Sequence, residues 1–91
     1  MISRAIKLAS LIKEQRKIHK LSQEKLSQRL GWGPKGSQVI SNIERGVQQI
    51  PPKQVNRLSI ELMIDRSKII DAMVADYQHG LMAEIDKAQT I

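Results

Sequence analysis

The chain predicts an all-α fold of five or six helices, and three observations carry this. Apolar residues return at intervals of three and four, as in Leu26/Leu30 and Val55/Leu58/Leu62. That spacing lines one side of a helix. Residues that start and stop helices stand between these stretches: Ser22 and Asp65 as caps, Gly31 and Gly46 as terminators. No stretch alternates apolar and polar residues as a strand would, and there is no internal repeat or low-complexity tract.

Helix 1 is expected from Ser3 to about Lys20. Leu8, Leu11, Ile12 and Ile18 supply its apolar positions, and Arg4, Lys7, Lys13, Arg16, Lys17 and Lys20 make it strongly basic. Leu21 and Leu26 flank the cap Ser22 as a hydrophobic staple, which opens helix 2. Gly31 ends that helix, and Trp32-Gly33-Pro34-Lys35-Gly36 forms a corner that the single tryptophan is expected to cover. Helix 3 is expected from Ser37 to about Arg45, followed by a loop over Val47 to Ile50. Pro51-Pro52 begins helix 4, since proline is tolerated in a first turn. After a short turn at Met63-Ile64, Asp65 caps helix 5, which runs from Arg66 toward His79. Gly80 either ends this helix or weakens a longer one, with helical spacing continuing to about Lys87. Ile69, Ile70 and Met73 are expected to face inward, and Tyr77, Leu81, Met82 and Ile85 outward. A chain ending at Ala75 is expected to stay folded.

Ninety-one residues support one domain with a modest core. The absence of cysteine excludes a disulfide framework and a cysteine zinc site. His19 and His79 are far apart without a second ligand at metal spacing, so no metal is expected. There is no phosphate-binding GxxxxGK[ST] loop and no nucleophile paired with a base, so neither an enzyme nor a cofactor is expected. Apolar runs are too short to span a membrane, and Lys7 and Lys13 interrupt any leader-like stretch; a cytoplasmic protein is expected. The net charge of +6 is uneven. Residues 1–46 hold ten Lys/Arg against three Asp/Glu, a balance of +7, while residues 47–91 hold five against six, a balance of −1. This suits one half that faces phosphates and one that faces protein. Trp32 and Tyr77 are the only aromatic residues, too few for the stacking surfaces of RNA binders or for a membrane-interface helix.

Helix 3 divides cleanly. Val39, Ile40 and Ile43 fall on one side; Ser37, Gln38, Ser41, Asn42 and Arg45 fall on the other. Short polar side chains on the free face of an anchored helix suit the major groove, where Gln and Asn pair with an adenine edge and Ser with several bases. Ser37, Gln38, Ser41 and Asn42 are therefore the candidate base-reading residues. Lys35 and Arg45 flank the helix as candidate phosphate contacts, with Lys25 and Arg29 as further candidates.

Leu21-Ser22-Gln23, the stretch Leu26 to Gly31, and Ile40-Ser41-Asn42-Ile43-Glu44-Arg45-Gly46 together resemble the helix-turn-helix domain of lambdoid phage repressors and Cro, the XRE type. Weaker similarity covers about Ser3 to Ile70. The turn from Trp32 to Gly36 is longer than the family's usual two or three residues, and Ser27 stands where the family usually has alanine. The resemblance implies a lambda-repressor-like helix-turn-helix domain over 1–64, with 65–91 as a C-terminal helical segment for dimerisation or a partner, packed on the same core. It implies that Gln23 binds a phosphate at the start of helix 2, and that Arg16 and Glu44 form a structural ion pair between helices 1 and 3. It also implies a bacterial or phage transcriptional regulator, most simply a repressor that binds double-stranded DNA at a pseudo-palindromic operator as a homodimer. The surplus apolar residues Tyr77, Leu81, Met82 and Ile85 are the candidate dimer interface. Two other readings compete. One is an antitoxin whose C-terminal segment binds a toxin protein; the other is a protein-binding adaptor that uses the same fold without DNA.

Overall fold

The computed structural model describes residues 6–89, apart from the side chains of residues 83, 84 and 86–89. Five helices follow one another: α1 (Ile6–Ile18), α2 (Gln23–Leu30), α3 (Gly36–Glu44), α4 (Val55–Leu62) and α5 (Arg66–Gln89). The described residues contain no strand, and none of their helices is long and apolar enough to cross a membrane. The expected first turn at Ser3 and Arg4 lies outside the described residues. Pro51-Pro52 does not open α4 directly; a single 3-10 turn over Pro52–Gln54 comes first and α4 starts at Val55.

The helix ends follow from local chemistry. The Ser22 hydroxyl accepts from the Lys25 backbone N–H at 2.9 Å, capping α2. Each of α1 to α4 closes with the same pair of reversed backbone bonds, for example Gly31 N–H to the Gln28 carbonyl and Trp32 N–H to the Ser27 carbonyl. The closure needs one residue in the left-handed conformation. Gly31 and Gly46 supply it after α2 and α3, whereas Lys20 and Met63, each at φ 56°, supply it after α1 and α4. A side chain there costs about 1–2 kcal/mol, so those two turns are held by the packing around them.

One core unites all five helices. Leu8 and Ile12 of α1, Leu26 of α2, Ile40 and Ile43 of α3, Leu58 and Leu62 of α4 and Ile69 of α5 are fully buried, with Ile50 closing the loop side. The turn between α2 and α3 is tight. A Cβ on Gly36 would lie 1.8 Å from Ser27 Oγ and 2.8 Å from Trp32 Cβ. Only glycine fits under Ser27 at this position, and helix α3 begins on it, one residue before the expected Ser37. The turn proper is thus shortened, and Ser27, itself buried, fills the place where a larger residue would push the two helices apart.

Helix α5 departs most from expectation. It is continuous through Gly80, which is buried and lies inside the helix, neither a cap nor a break. Its inner stripe is Ile69, Met73, Asp76 and Gly80, spaced four, three and four. Ile70 does not face inward. It is one residue off this stripe, about 100° around the helix, and is 43% exposed. Asp76 explains the fixed rotation. It is buried, and its carboxylate accepts from the backbone N–H groups of Lys7 (2.9 Å) and Leu8 (3.0 Å) in the first turn of α1. A carboxylate at a helix N-terminus satisfies orphan donors and meets the positive end of the helix dipole. The core thus extends past Ala75: a chain ending there would lack this acid, so the expectation that it stays folded is revised to a loss of stability.

Candidate nucleic-acid interface

The ends of α2 and α3 are held against α1 by Glu44. Its Oε2 accepts from Arg16 Nε at 2.6 Å, and its Oε1 accepts from Arg16 Nη2 at 2.9 Å and from Gln23 Nε2 at 3.2 Å. Arg16 Nη1 also donates to the Leu21 carbonyl at 2.7 Å. The Arg16 and Glu44 side chains are only 12% and 4% exposed. The two-pronged hydrogen bond to Glu44 raises the guanidinium pKa above its ordinary value, against an opposing effect of burial. This cluster joins α1, the start of α2 and the end of α3, so it sets the angle at which α3 meets solvent.

Trp32 closes the other side. Its ring is half-buried against the core, and Nε1 donates to Gln54 Oε1 at 3.2 Å. Because the ring is tied to the 3-10 turn before α4, it braces the turn between α2 and α3 from below.

The outer face of α3 is a connected row of polar groups. Gln38 Nε2 donates to Asn42 Oδ1 at 3.0 Å, Arg45 Nη2 donates to the same oxygen, and Asn42 Nδ2 donates to Gln48 Oε1 at 3.3 Å. Gln38 and Arg45 are exposed, while Ser37, Ser41, Asn42 and Gln48 are half-buried. Val39, Ile40 and Ile43 occupy the opposite face, against or within the core. The scaffold below this row is apolar and packed; the row itself is open and carries donors and acceptors in sequence along about two turns.

Positive charge stands at both ends of the row, with more on α2. Lys35 stands at the start of α3 and Arg45 at its end, both exposed. Lys25 and Arg29 are exposed on α2, and the Arg29 carbonyl accepts from Arg57 Nη2 at 2.6 Å. Gln23 is the first residue of α2, with its amide nitrogen turned toward Glu44. A helix N-terminus flanked by cations suits an anion.

A helix-turn-helix family model matches residues 12–65, more than half of the chain. The chain belongs to the XRE-type helix-turn-helix family. No curated protein and no solved structure shows significant similarity to it. In this helix-turn-helix, α2 and α3 are the paired helices and α3 is the second of the two, the one that enters the major groove in such proteins. It is thus a DNA-binding regulator by family.

Three groups shape this helix-turn-helix through contacts that the sequence does not display. Gln48 lies in the loop after α3, Gln54 lies two residues after Pro51-Pro52, and Gly36 ends the corner before Ser37. The sequence does carry a signal for Gln48. Gly46 in the left-handed conformation folds the chain back, so that the Val47 N–H bonds the Asn42 carbonyl. A residue two places after that glycine returns to the last turn of α3. The candidate dimer residues Tyr77, Leu81, Met82 and Ile85 are all exposed and lie on α5, apart from the α2–α3 pair.

Proposed function

We propose that this protein represses transcription by binding a pseudo-palindromic operator as a homodimer, one α3 in each of two successive major grooves. The observation that carries the reading is the outer face of α3. Ser37, Gln38, Ser41 and Asn42 present polar groups from a helix whose other face is packed and whose end is held by Arg16 and Glu44. Groups that read base edges need this kind of rigid support, because discrimination depends on placement within a fraction of an ångström. Lys35, Arg45, Lys25, Arg29 and the α2 start at Gln23 are the phosphate contacts, which hold the register without reading sequence.

The dimer is assigned to α5, with residues 1–64 as the DNA-binding domain and 65–91 as the assembling segment. Ile70, Val74, Tyr77 and Leu81 form an exposed apolar stripe, spaced four, three and four, the repeat of a helix-on-helix seam. Three of these residues, Ile70, Val74 and Tyr77, also line a largely apolar cleft of about 430 Å³ with Pro52, Val55 and Met73, edged by Asn56 and Arg66. Ile85 continues the stripe, and Met82 lies one residue off it, at the edge. The half of the chain that carries the stripe is near charge balance, at −1, against +7 in the half with α1 and α3, so like charge opposes pairing less there. The same stripe suits a toxin protein in the antitoxin reading.

Selection of bound duplexes from a random DNA library tests the first claim, with a promoter–reporter fusion to the selected site as its companion. A two-fold motif with half-sites about 34 Å apart, or a multiple of that, and lowered reporter output are expected. A non-repeated motif, or unchanged output, would overturn the dimeric-repressor reading. Sedimentation of the full chain discriminates the antitoxin: a chain monomeric at micromolar concentration shifts the α5 stripe to a different protein partner.

A further inference from the structure

Asn42 is the residue with the most internal partners on the reading face, and this decides what it can do. A side-chain amide has one oxygen with two lone pairs and one nitrogen with two hydrogens. The Asn42 oxygen already accepts twice, from Gln38 Nε2 and from Arg45 Nη2. Its nitrogen gives one hydrogen to Gln48 Oε1. Pairing with an adenine edge requires an acceptor and a donor from the same amide, together, for the N6 amino group and N7. Asn42 can offer a single hydrogen and no acceptor until it gives up one of the two bonds to its oxygen, whereas its neighbours need break nothing.

Its neighbours are in the opposite state. Gln38 spends one amide hydrogen on Asn42, which leaves Oε1 and the second hydrogen for a base. Gln48 spends one lone pair of Oε1, which leaves the second lone pair and both hydrogens of Nε2. Each therefore retains the acceptor–donor pair that Asn42 has lost. Both are oriented by the same residue, one a helical turn before it and one just beyond the end of α3. Gln48 also shares a small cleft with Trp32, Val39, Pro51 and Gln54, which restricts its stem.

We propose that sequence is read by Gln38 and Gln48, and that Asn42 is a positioning residue that aims both amides. The proposal rests on the DNA-binding reading above and changes which residues select the bases. It extends the reading surface past the helix, to a residue in the loop after Gly46. Arg45, by occupying the second lone pair of Asn42, keeps that amide from turning over. Two glutamines held at fixed separation would prefer two fixed base positions within each half-site, with adenine as the favoured partner.

The test is a library selection with the full chain and with Gln38→Ala, Gln48→Ala and Asn42→Ala, with folding checked by thermal melting. Each glutamine variant is expected to lose preference at one base position per half-site. Its affinity for the wild-type site should fall about ten- to a hundredfold, with random DNA bound as before. Asn42→Ala is expected to blur both of those positions together and no third, because it releases both amides. If Asn42→Ala instead erases a position that neither glutamine variant touches, Asn42 reads a base itself and the proposal is overturned. An unchanged motif with Gln48→Ala likewise overturns it. If the unaltered chain selects no motif at all, DNA reading fails, and this assignment fails with it for a distinguishable reason.

Discussion

Helices α3 and α5 are built alike and finished differently. Each buries one stripe in the common core, and each is held in rotation by a buried carboxylate that reaches α1. Glu44 does this for α3 by taking the guanidinium of Arg16. Asp76 does it for α5 by taking two backbone N–H groups of the first turn of α1. Helix α1 is thus the common reference to which both working surfaces are fixed. The exposed faces differ in kind. That of α3 is polar and linked by hydrogen bonds among Gln38, Asn42, Arg45 and Gln48, with the two glutamine amides only partly used. That of α5 is apolar, from Ile70 to Leu81, and has nothing to satisfy it except another apolar surface. A polar row can stay in water until DNA replaces that water; an apolar stripe gains most when it is covered. The difference puts a polar face and an apolar face on two helices of one small core, which is what the proposed division between DNA reading and assembly rests on.

The largest effect is expected from breaking the α3 attachment. Arg16→Met leaves Glu44 buried without its cation, a loss of about 3–5 kcal/mol. Against a typical total of about 5–15 kcal/mol, the variant should unfold in dilute urea. Pairing it with Glu44→Leu should restore much of the stability, since replacing both charges by apolar groups removes the stranded one. The double variant should still bind DNA poorly, because Gln23 loses its partner and α3 its fixed angle. Equal urea midpoints for Arg16→Met and the unaltered chain would mean that the ion pair holds nothing in place.

The α5 attachment comes next. Asp76→Ala leaves two N–H groups of α1 without an acceptor, each of which was bonded to a charged group. The expected loss is about 2–3 kcal/mol, or a fall of roughly 10 °C or more in the thermal midpoint for a domain of this size. Asp76→Asn, which keeps one oxygen acceptor, should fall between. A melting curve for Asp76→Ala that overlays the parent would show that Asp76 does not fix α5.

Assembly can then be separated from folding. Leu81→Glu puts a charge on the exposed stripe without touching the core. The thermal midpoint at low concentration should hardly move, while sedimentation should report a monomer and operator affinity should fall as the second half-site is lost. The cost to the dimer should be about 2 kcal/mol or more if the residue lies at the centre of the seam. A Leu81→Glu chain that remains dimeric would place the contact elsewhere. Substitution is a cleaner probe than cutting the chain at Ala75, which would also delete Asp76.

The smallest expected effect is that of one surface cation. Lys35→Ala should lower the slope of log K against log salt by about one for each protomer, with little change in which sequences are preferred. An unaltered slope would leave Lys35 as a solvated charge. The contrast with Leu81→Glu is the useful one: the first should change salt dependence and not assembly, the second assembly first.

Local chemistry was enough to read the helices and most of their ends from the chain. Ser22, Gly31 and Gly46 act on residues within five positions of themselves, and the apolar periods of α2, α3 and α4 mark their own buried sides. The division of α3 into an apolar and a polar face follows from the 3.6-residue repeat alone. What the repeat does not contain is rotation relative to distant elements. In α5, two stripes with identical spacing run side by side, Ile69/Met73/Asp76/Gly80 and Ile70/Val74/Tyr77/Leu81. By hydrophobicity the second, with four large apolar residues, looks like the core. The first is chosen because Asp76, sixty-eight residues from Leu8 along the chain, finds the open end of α1, and because Gly80 can lie buried inside the helix. Likewise, Gly36 must be glycine because Ser27 crosses it, and Gln48 reaches Asn42 because the chain turns back after Gly46. The composition, the helices and their polar and apolar faces were determined by residues acting on near neighbours. Which face is buried, which amide is already spoken for and how α3 is aimed were decided only in the tertiary structure, because those depend on groups that meet across the fold.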